Sequence, residues 1–400
     1  MTRNQLALAL LLTVTLLFLP CLGWSAEPPA NGENPSRFSY GPRGLQYESQ
    51  DGNNFLWFGV RLQTRYSNEV VTQDELPDEA FGTQTDFALN RGRFKLGGHL
   101  LSPNLSVYSE YDFPTERLID LRTTYQFSER LSLRIGQWKT EFNRERRDSS
   151  GEQQFAERSI VTPWFTIDRQ QGAVFSGRVA ADSAIDSSYW VGWISGAGRG
   201  GSLSEADGLW FGRYQWNFTG ELLEFSQSDI GRRSKGAGSI AVAYVDGRTG
   251  FTSFSSAGGG QLPGFEDGAP DRYRLTQVVF ETAWQKDGLS WQQEFHWKRI
   301  IDRQTGVDRE ITGGYAQFGA FVSRFYPSAP EPLELAVRVA AVDPDDDIEA
   351  DFERELSLVG NWFFNGHRNK LTADIARVRR QYVPETDSRT RIRLQWDWSF

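Results

Sequence analysis

Three basic residues alternate along one predicted strand, because Arg91, Arg93 and Lys95 stand two positions apart. In a β-strand such residues share one face, so three like charges repel one another there, and no acidic residue of the same strand neutralises them. Guanidinium and ammonium groups bring positive charge and hydrogen-bond donors, which is the chemistry that binds anions. The spacing therefore predicts an anion-binding face.

The same face of the other predicted strands is also mainly basic, with twelve basic side chains against six acidic ones. The basic residues are Arg61, Arg65, Arg91, Arg93, Lys95, Arg122, Arg134, Arg213, Lys298, Arg338, Arg391 and Arg393, and the acidic ones are Glu110, Asp112, Asp120, Glu294, Glu334 and Asp397. The whole chain has 43 Lys+Arg and 52 Asp+Glu, but the acidic surplus collects in connectors such as 343–351. A basic face favours anions, because selectivity follows the potential along the path. Alternatively, each arginine pairs with an acidic residue of the same face, and these pairs brace the wall.

A long connector follows Lys139 and carries Arg144, Arg146 and Arg147. If this connector folds inward, its arginines would line a constriction. The alternative is a solvated surface loop with mixed charges.

Catalysis is disfavoured by the residues available for it. The chain has three histidines, His99, His296 and His367, and one cysteine, Cys21. His296 shares a strand face with Glu294, but a lipase acting on membrane lipid needs its base on the lipid side, and this pair points inward. We expect no enzyme activity, no cofactor, no metal site and no nucleic-acid partner.

Alternation with period 2 dominates the chain from residue 54 and predicts strands that are apolar on one face and polar on the other. Leu289, Trp291 and Phe295, for example, oppose Gln292 and Glu294. We predict sixteen strands, near 54–66, 86–100, 104–113, 117–127, 131–139, 170–180, 187–195, 209–218, 238–245, 272–284, 289–301, 312–324, 332–342, 353–364, 369–379 and 389–400.

The connectors decide between a soluble sandwich and a membrane barrel, since both alternate. Those after even-numbered strands are mostly short, whereas those after odd-numbered strands include the long stretches 67–85, 140–169 and 246–271. Short turns on one side and long loops on the other are typical of outer-membrane barrels. Two connectors depart from this rule: 114–116 is short for an external loop, and 219–237 is long for a periplasmic turn.

The predicted fold is therefore all-β: a transmembrane antiparallel β-barrel over residues 44–400, with about sixteen strands, short periplasmic turns and long external loops, in the bacterial outer membrane. After the first 26 residues no apolar run reaches the length of about 20 that a membrane helix needs. A sheet in lipid must close, because unpaired backbone groups there are costly. We expect the last strand, ending at Phe400, to be recognised by the barrel-assembly machinery. A smaller barrel plugged by its own side chains, with a structural or adhesive role, is the alternative, but sixteen strands normally enclose water.

The N-terminus predicts export. Residues 1–26 have a short basic region with Arg3, an apolar core from Leu6 to Leu19, and small residues at the end, which is typical of a signal peptide. Residues 27–43 are rich in Pro, Gly and Asn and predict a flexible lead-in.

Several motifs in order resemble the phosphate-selective porins O and P. They are Asn90-Arg91-Gly92-Arg93, Ser109-Glu110-Tyr111-Asp112-Phe113, Arg134-Ile135-Gly136-Gln137-Trp138-Lys139, Phe155-Ala156-Glu157-Arg158 and Asp168-Arg169-Gln170-Gln171-Gly172. The resemblance implies a sixteen-stranded outer-membrane barrel in contact with lipid, a homotrimer, and an arginine ladder with a central lysine for phosphate or polyphosphate. By position, Lys139 is the candidate for that lysine. It shares parity with Leu131, Leu133 and Ile135, so it can face the lumen only if the strand ends or bulges before it.

The expected function is passive diffusion of small anions, with phosphate or polyphosphate first, through a basic lumen. The alternative is a weakly selective general porin for small hydrophilic solutes.

Overall fold

The computed structural model describes residues 36–73, 82–201, 207–348, 351–381 and 386–400. The predicted signal peptide, residues 1–26, lies outside the described residues, as do residues 27–35. Within the described residues, no helix is long and apolar enough to cross a bilayer.

Antiparallel strands make up most of the structure. They are β1 (Arg37–Gly41), β2 (Gly44–Glu48), β3 (Phe55–Gln73), β4 (Gly82–His99), β5 (Leu105–Asp112), β6 (Arg117–Ser128), β7 (Leu131–Lys139), β8 (Arg169–Val179), β9 (Ser187–Ile194), β10 (Gly208–Trp216), β11 (Ala237–Thr249), β12 (Ser253–Ser255), β13 (Gly258–Gly260), β14 (Tyr273–Lys286), β15 (Leu289–Asp302), β16 (Asp308–Phe321), β17 (Leu333–Asp343), β18 (Glu353–Asn365), β19 (Asn369–Gln381) and β20 (Thr386–Ser399). Strands β3–β11 and β14–β20 form a closed ring of sixteen, which confirms the predicted fold.

The ring closes where the last strand meets the first. β20 pairs with β3 in a register that places Arg393 opposite Ser67. At the end of this seam Val60 N–H donates to the carbonyl of Phe400 at 2.7 Å, and Phe400 N–H donates to that of Val60 at 2.9 Å. No strand edge of the ring is left for lipid, where an unpaired backbone group would cost several kcal/mol.

Side chains alternate between the two faces of the wall as the sequence predicts. On β20, Ile392, Leu394 and Trp396 are about half exposed on the outer face, whereas Arg393 and Gln395 between them are buried inside. An apolar outer face and a polar inner face match a wall that separates lipid from a polar interior.

A hairpin precedes the barrel and corrects the predicted flexible segment. Strands β1 and β2 pair with each other, and β2 continues onto the start of β3, with Leu45 opposite Phe58. Residues 37–43, expected as part of a flexible lead-in, therefore form a strand and a turn. The sequence signal was outweighed because the turn at Pro42 and Arg43 lets residues 37–41 pair with β2, which in turn pairs with the wall strand β3.

The connectors at the two ends of the barrel differ in length as predicted. At one end, Asp287 and Gly288 alone join β14 to β15, both with positive φ (52° and 79°), which is the two-residue turn that matches the twist of a hairpin. The other end carries connectors 140–168 and 250–272; the latter contains the β12–β13 hairpin. The two connectors that depart from this rule are also present in the structure: the connector 113–116 is short, and the connector 217–236 at the other end is long.

Helical structure among the described residues is confined to short turns. Connector 140–168 contains α1 (Arg144–Arg147) and α2 (Thr162–Phe165), and a 3-10 turn, Val322–Arg324, follows β16.

Candidate functional site

Connector 140–168, here called the inner loop, folds into the barrel and crosses to the opposite wall. Glu294 of β15 accepts hydrogen bonds from the Asn143 side chain at 3.0 Å and from the backbone N–H of Glu145 at 2.5 Å. Glu281 of β14 accepts one from the backbone N–H of Arg144 at 3.1 Å. Two wall carboxylates thus satisfy the open N–H groups at the start of α1.

Further along, the inner loop is held by carboxylates of β18 and β19. Asp374 accepts from the backbone N–H of Ala156, and Glu355 from that of Ile160, both at 2.9 Å. The Arg338 guanidinium lies between loop and wall, 2.6 Å from Glu355 and 3.5 Å from Glu145. Because these groups are buried, each bond is costly to leave unmade.

The long connector 217–236, here called the lower segment, also enters the lumen, from the opposite end. Gln227 accepts from the backbone N–H of Gln154 in the inner loop at 2.8 Å, and Ser228 donates to Glu334 at 2.9 Å. The Phe225 ring faces the guanidinium carbons of Arg144 and Arg213 at 5.0 and 5.4 Å. Sequence reasoning missed this contact, although the length of 219–237 was a signal for it.

The two inserted segments fill the lumen unevenly. Many inward-facing side chains on β14–β19 are 2% exposed or less: Gln277, Glu281, Glu294, Lys298, Gln317, Glu334, Ser357, Asn361 and Thr372. Several inward-facing side chains on β4–β7, in contrast, are only half-buried: Arg91, Lys95, Tyr108, Arg122, Thr124 and Arg134. Solvent therefore reaches the lumen along the β4–β7 wall.

A cavity of about 520 Å³ opens on this wall, at the end of the barrel where β3 begins and β4 ends. Trp57, Tyr108, Arg122, Thr124 and Arg134 are among its lining residues. The Arg122 guanidinium lies 4.5 Å from the centre of the Tyr108 ring, so an aromatic face holds this cation without neutralising it.

Five predicted lumen arginines are buried in ion pairs, and one of them, Arg393, lies 2.7 Å from Asp374. Arg61 lies 2.5 Å from Asp397, Arg93 lies 2.6 Å from Glu110, and Arg338 is paired as described above. Arg213 pairs with Glu281. Arg61 also donates to the Ser150 hydroxyl of the inner loop at 2.8 Å. These arginines brace the wall or hold the loop, which was the alternative reading of the basic face.

Three other predicted lumen arginines are half-buried, and nearby carboxylates partly neutralise their charges. Arg65 donates to Glu157 and, at 2.6 Å, to the carbonyl of Ala156. Arg122 lies 3.7 Å from Asp120. Arg134 pairs with Glu141 of the inner loop.

Arg91 and Lys95 differ from all of these. Neither has a carboxylate within 4.0 Å among the residues that the structure describes. Arg91 donates to the amide oxygen of Gln63, a neutral partner. Of the three alternating charges on β4, only the middle one, Arg93, is neutralised, because Glu110 and Asp112 of β5 reach it.

The arginines of the inner loop also take different positions. Arg144 is fully buried and donates to the carbonyl of Glu224 at 2.8 Å. Arg146 pairs with Asp168 within the loop. Arg147 is more exposed and shares Glu141, at 3.2 Å, with Arg134.

Lys139 is buried at the very end of β7. Its Nζ donates to the carbonyl of Asp148 in the inner loop at 2.9 Å. The strand extends through Lys139 and pairs with β8 there without a register shift, so it neither ends nor bulges before this residue, and the inner loop is what covers the Lys139 side chain.

The predicted ratio of twelve basic to six acidic inward residues is too high. Glu281, Glu355 and Asp374 also face inward, each buried and paired with an arginine. Arg158 of the inner loop was not among the predicted site residues. It is half-buried and donates to the carbonyls of Glu145 and Asp148, both at 2.9 Å.

The His296–Glu294 pair lies beneath the inner loop. His296 Nε2 is 2.9 Å from Glu294, and the imidazole stacks on Phe165 with 4.9 Å between ring centres. The side chains of His296 and Glu294 are each 1% exposed. Since Glu294 also holds the start of α1, the pair serves to anchor the loop.

The connector after β17 carries an acidic cluster at the end of the barrel where the long loops lie. Asp351 is 7% exposed, and its Oδ1 has no hydrogen-bond partner among the described residues. Burial, and then the carboxylates of Asp343 and Asp345, raise the pKa of Asp351 to about 6.

This raised pKa predicts a pH-dependent connector. Because the folded pKa lies above the usual value, ionisation opposes folding, so the stability advantage present at low pH is lost as the pH rises to about 6. Amide exchange in this connector, corrected for intrinsic rates, should be severalfold faster at pH 7.5 than at pH 5. Asp351→Asn should abolish the difference; an unchanged difference in this variant would show that another group titrates.

Comparison with known proteins supports this description. Residues 60–235 match the sequence model of the family described as phosphate-selective porin O and P, so the resemblance is confirmed. No protein with a curated description matches the chain.

Solved structures share the fold at low identity. The outer membrane channel DcaP of Acinetobacter baumannii is 11% identical with a TM-score of 0.58, over 88% of this chain and 99% of that one. An anion-selective porin from Comamonas acidovorans is 8% identical with a TM-score of 0.56, over 86% and 99%. OmpT of Vibrio cholerae is 7% identical with a TM-score of 0.52, over 86% and 98%. Over residues 60–235 the chain is therefore similar to the phosphate-selective porin O and P family, and it has the sixteen-stranded barrel fold of outer-membrane channels.

Proposed function

We propose that the channel passes small anions along the β4–β7 wall, between that wall and the inner loop. The observation that carries the proposal is that Arg91 and Lys95 are half-buried on this wall without a carboxylate within 4.0 Å among the described residues. A cation without a carboxylate in direct contact attracts an anion from solution, and the field is strengthened inside a narrow polar passage with low-dielectric walls.

The inner loop contributes to the same passage. Arg134 and Arg147 share the single carboxylate of Glu141, so this group carries a net positive charge. Arg158 uses its donors on backbone carbonyls, which leaves its charge uncompensated by those contacts. Several moderate sites in series allow an anion to enter without being trapped.

Phosphate is the leading candidate for the preferred anion. This preference is supported by the family description and by the clustering of unpaired cations, which favours an anion of higher charge. We expect millimolar phosphate to reduce chloride current through single channels in planar bilayers. Unchanged chloride current at that concentration would contradict a phosphate site while leaving anion passage intact.

A weakly selective general porin is the second candidate. It is favoured by the pairing of Arg61, Arg93, Arg213 and Arg338 with carboxylates, which removes most of the lumen charge. Reversal potentials in a salt gradient distinguish the two, since a weakly selective channel gives a value near zero.

We also propose that three copies assemble in the membrane, as the family resemblance implies. Mass measurement of the detergent-solubilised protein tests this directly, and a monomeric mass would contradict it.

A further inference from the structure

Arginines also occur on the lipid-facing side of the barrel, where they serve no lumen function. Arg354 of β18 and Arg377 and Arg379 of β19 are all exposed. Arg354 lies directly opposite Arg379, and Leu356 lies opposite Arg377, so the three guanidinium groups share one patch. Here this patch is called the outer arginine patch.

Glu355 and Asp374, acidic neighbours of Arg354 and Arg377 along these strands, point into the barrel. Glu355 pairs with Arg338, and Asp374 pairs with Arg393. Across the strands, Arg354 faces Ala341 and Arg377 faces Thr390. Among the described residues, neither Arg354 nor Arg377 has a carboxylate within 4.0 Å. Arg379 makes a contact of its own, so the inference rests on the first two.

The patch lies at the upper border of the apolar band. Arg354 is next to the start of β18 at the end with the long connectors, and below it the outer face carries Leu356, Leu358 and Trp362. From Trp362 to Arg354 the strand rises about 27 Å, which at the usual tilt of about 40° gives a height of about 20 Å. That height approaches the thickness of the apolar band, so the guanidinium groups reach the level of lipid headgroups.

A groove begins at the same arginine. A cavity of about 430 Å³ on the outer face is lined by Arg354, Ala341, Val339, Ala316, Gly314 and Phe295. It exists because the outward positions of β16 and β17 at this height carry small residues. A Cβ at Gly314 would lie 2.7 Å from the carbonyl oxygen of Glu294, so the backbone packing requires glycine there.

We propose that this surface binds one phosphate-bearing lipid of the outer leaflet, with its phosphate on Arg354 and Arg377 and an acyl chain in the groove. Guanidinium groups bind phosphate oxygens through paired charge-assisted hydrogen bonds, and basic pockets at headgroup level are the usual sites for anionic lipids. Arg354 lies above Leu356 and Arg377 lies level with it. This position selects a lipid rather than free phosphate, because the adjoining groove faces hydrocarbon.

Native mass spectrometry of the purified, delipidated protein tests the proposal with lipid A carrying two phosphates. Wild type should retain this lipid about tenfold more than the double variant Arg354→Gln/Arg377→Gln, the loss expected from removing one or two charge-assisted bonds. Arg299→Gln is the matched control, because Arg299 lies on the outer face of β15 but pairs with Asp308 at 2.5 Å. It should retain lipid like wild type.

Three further arms make the test decisive. Lipid A without phosphates should bind wild type as weakly as phosphorylated lipid binds the double variant, and inorganic phosphate should not displace the lipid at equal concentration. Ala341→Trp, which keeps both arginines and fills the groove, should also lower retention and covers the case in which the double variant does not fold. If both the Arg354→Gln/Arg377→Gln variant and the Ala341→Trp variant retain the lipid as well as wild type does, the proposal is overturned. Dissociation of oligomers in the double variant with lipid retention unchanged also overturns it, and would identify a subunit contact instead.

Discussion

Replacing Arg91 and Lys95 together by glutamine should lower the anion-to-cation permeability ratio by about tenfold at low salt. A unit charge about 4 Å from an ion in water contributes about 1 kcal/mol, and a change of 1.4 kcal/mol corresponds to about tenfold. Because neither residue has a carboxylate within 4.0 Å among the described residues, its replacement removes charge without breaking a direct ion pair. The passage should therefore keep its shape and lose its preference for anions over cations.

Reversal potentials in a potassium chloride gradient measure this ratio. The difference from wild type should shrink toward 1 M salt, where charges are screened within about 3 Å. Arg274→Gln is the matched control, since Arg274 is exposed on β14 and pairs with Asp246; it should leave the reversal potential unchanged. A double variant as anion-selective as wild type would show that these two residues do not face the ions.

Replacing Arg338 by alanine should release the inner loop and raise single-channel conductance severalfold. Arg338 is 2% exposed and lies between Glu355, Glu145 and the ring of Phe155. Removing one partner of a buried ion pair costs about 3–5 kcal/mol. The hydrogen-bonded wall resists unfolding, so the loop relieves this cost by moving away from β17 and β18.

Arg93→Ala is the matched control for this variant. Arg93 is also buried in a pair with two carboxylates, but Glu110 and Asp112 both belong to the wall strand β5. Its loss should destabilise the protein without raising conductance in the same way. Equal conductance increases in the two variants would show that the effect reports a weakened wall and not a released loop. Heat-dependent gel mobility checks that the barrel remains closed in both.

The barrel could be predicted from the sequence because lipid imposes one pattern on every strand. Outward residues such as Leu394 and Trp396 must be apolar, and the inward residue Gln395 between them is free to be polar. Each strand therefore shows the alternation in its own sequence. All sixteen predicted strands overlap the observed ones, but several ends differ: β3 extends to Gln73, β4 begins at Gly82 and β11 extends to Thr249. Both unusual connectors are real features of the chain.

The contents of the lumen could not be predicted in the same way. Alternation shows that Arg338 faces inward but not that Glu355 lies opposite it, since that depends on register and on which loop enters the barrel. Glu281 and Asp374 were therefore not counted among the inward acids. The contact between Gln227 and the inner loop joins two connectors from opposite ends, and no local pattern encodes such a meeting.

The most direct test of the passage along β4–β7 is cysteine modification during conductance recording. The single cysteine, Cys21, lies in the predicted signal peptide, so introduced thiols can be read without background. Thr124→Cys on β6 is half-buried on the open wall, whereas Ser357→Cys on β18 lies beneath the inner loop. A charged thiol reagent should reduce conductance within minutes in the first variant and leave the second unchanged. Block of the second with no effect on the first would place the ions on the opposite side and contradict the account.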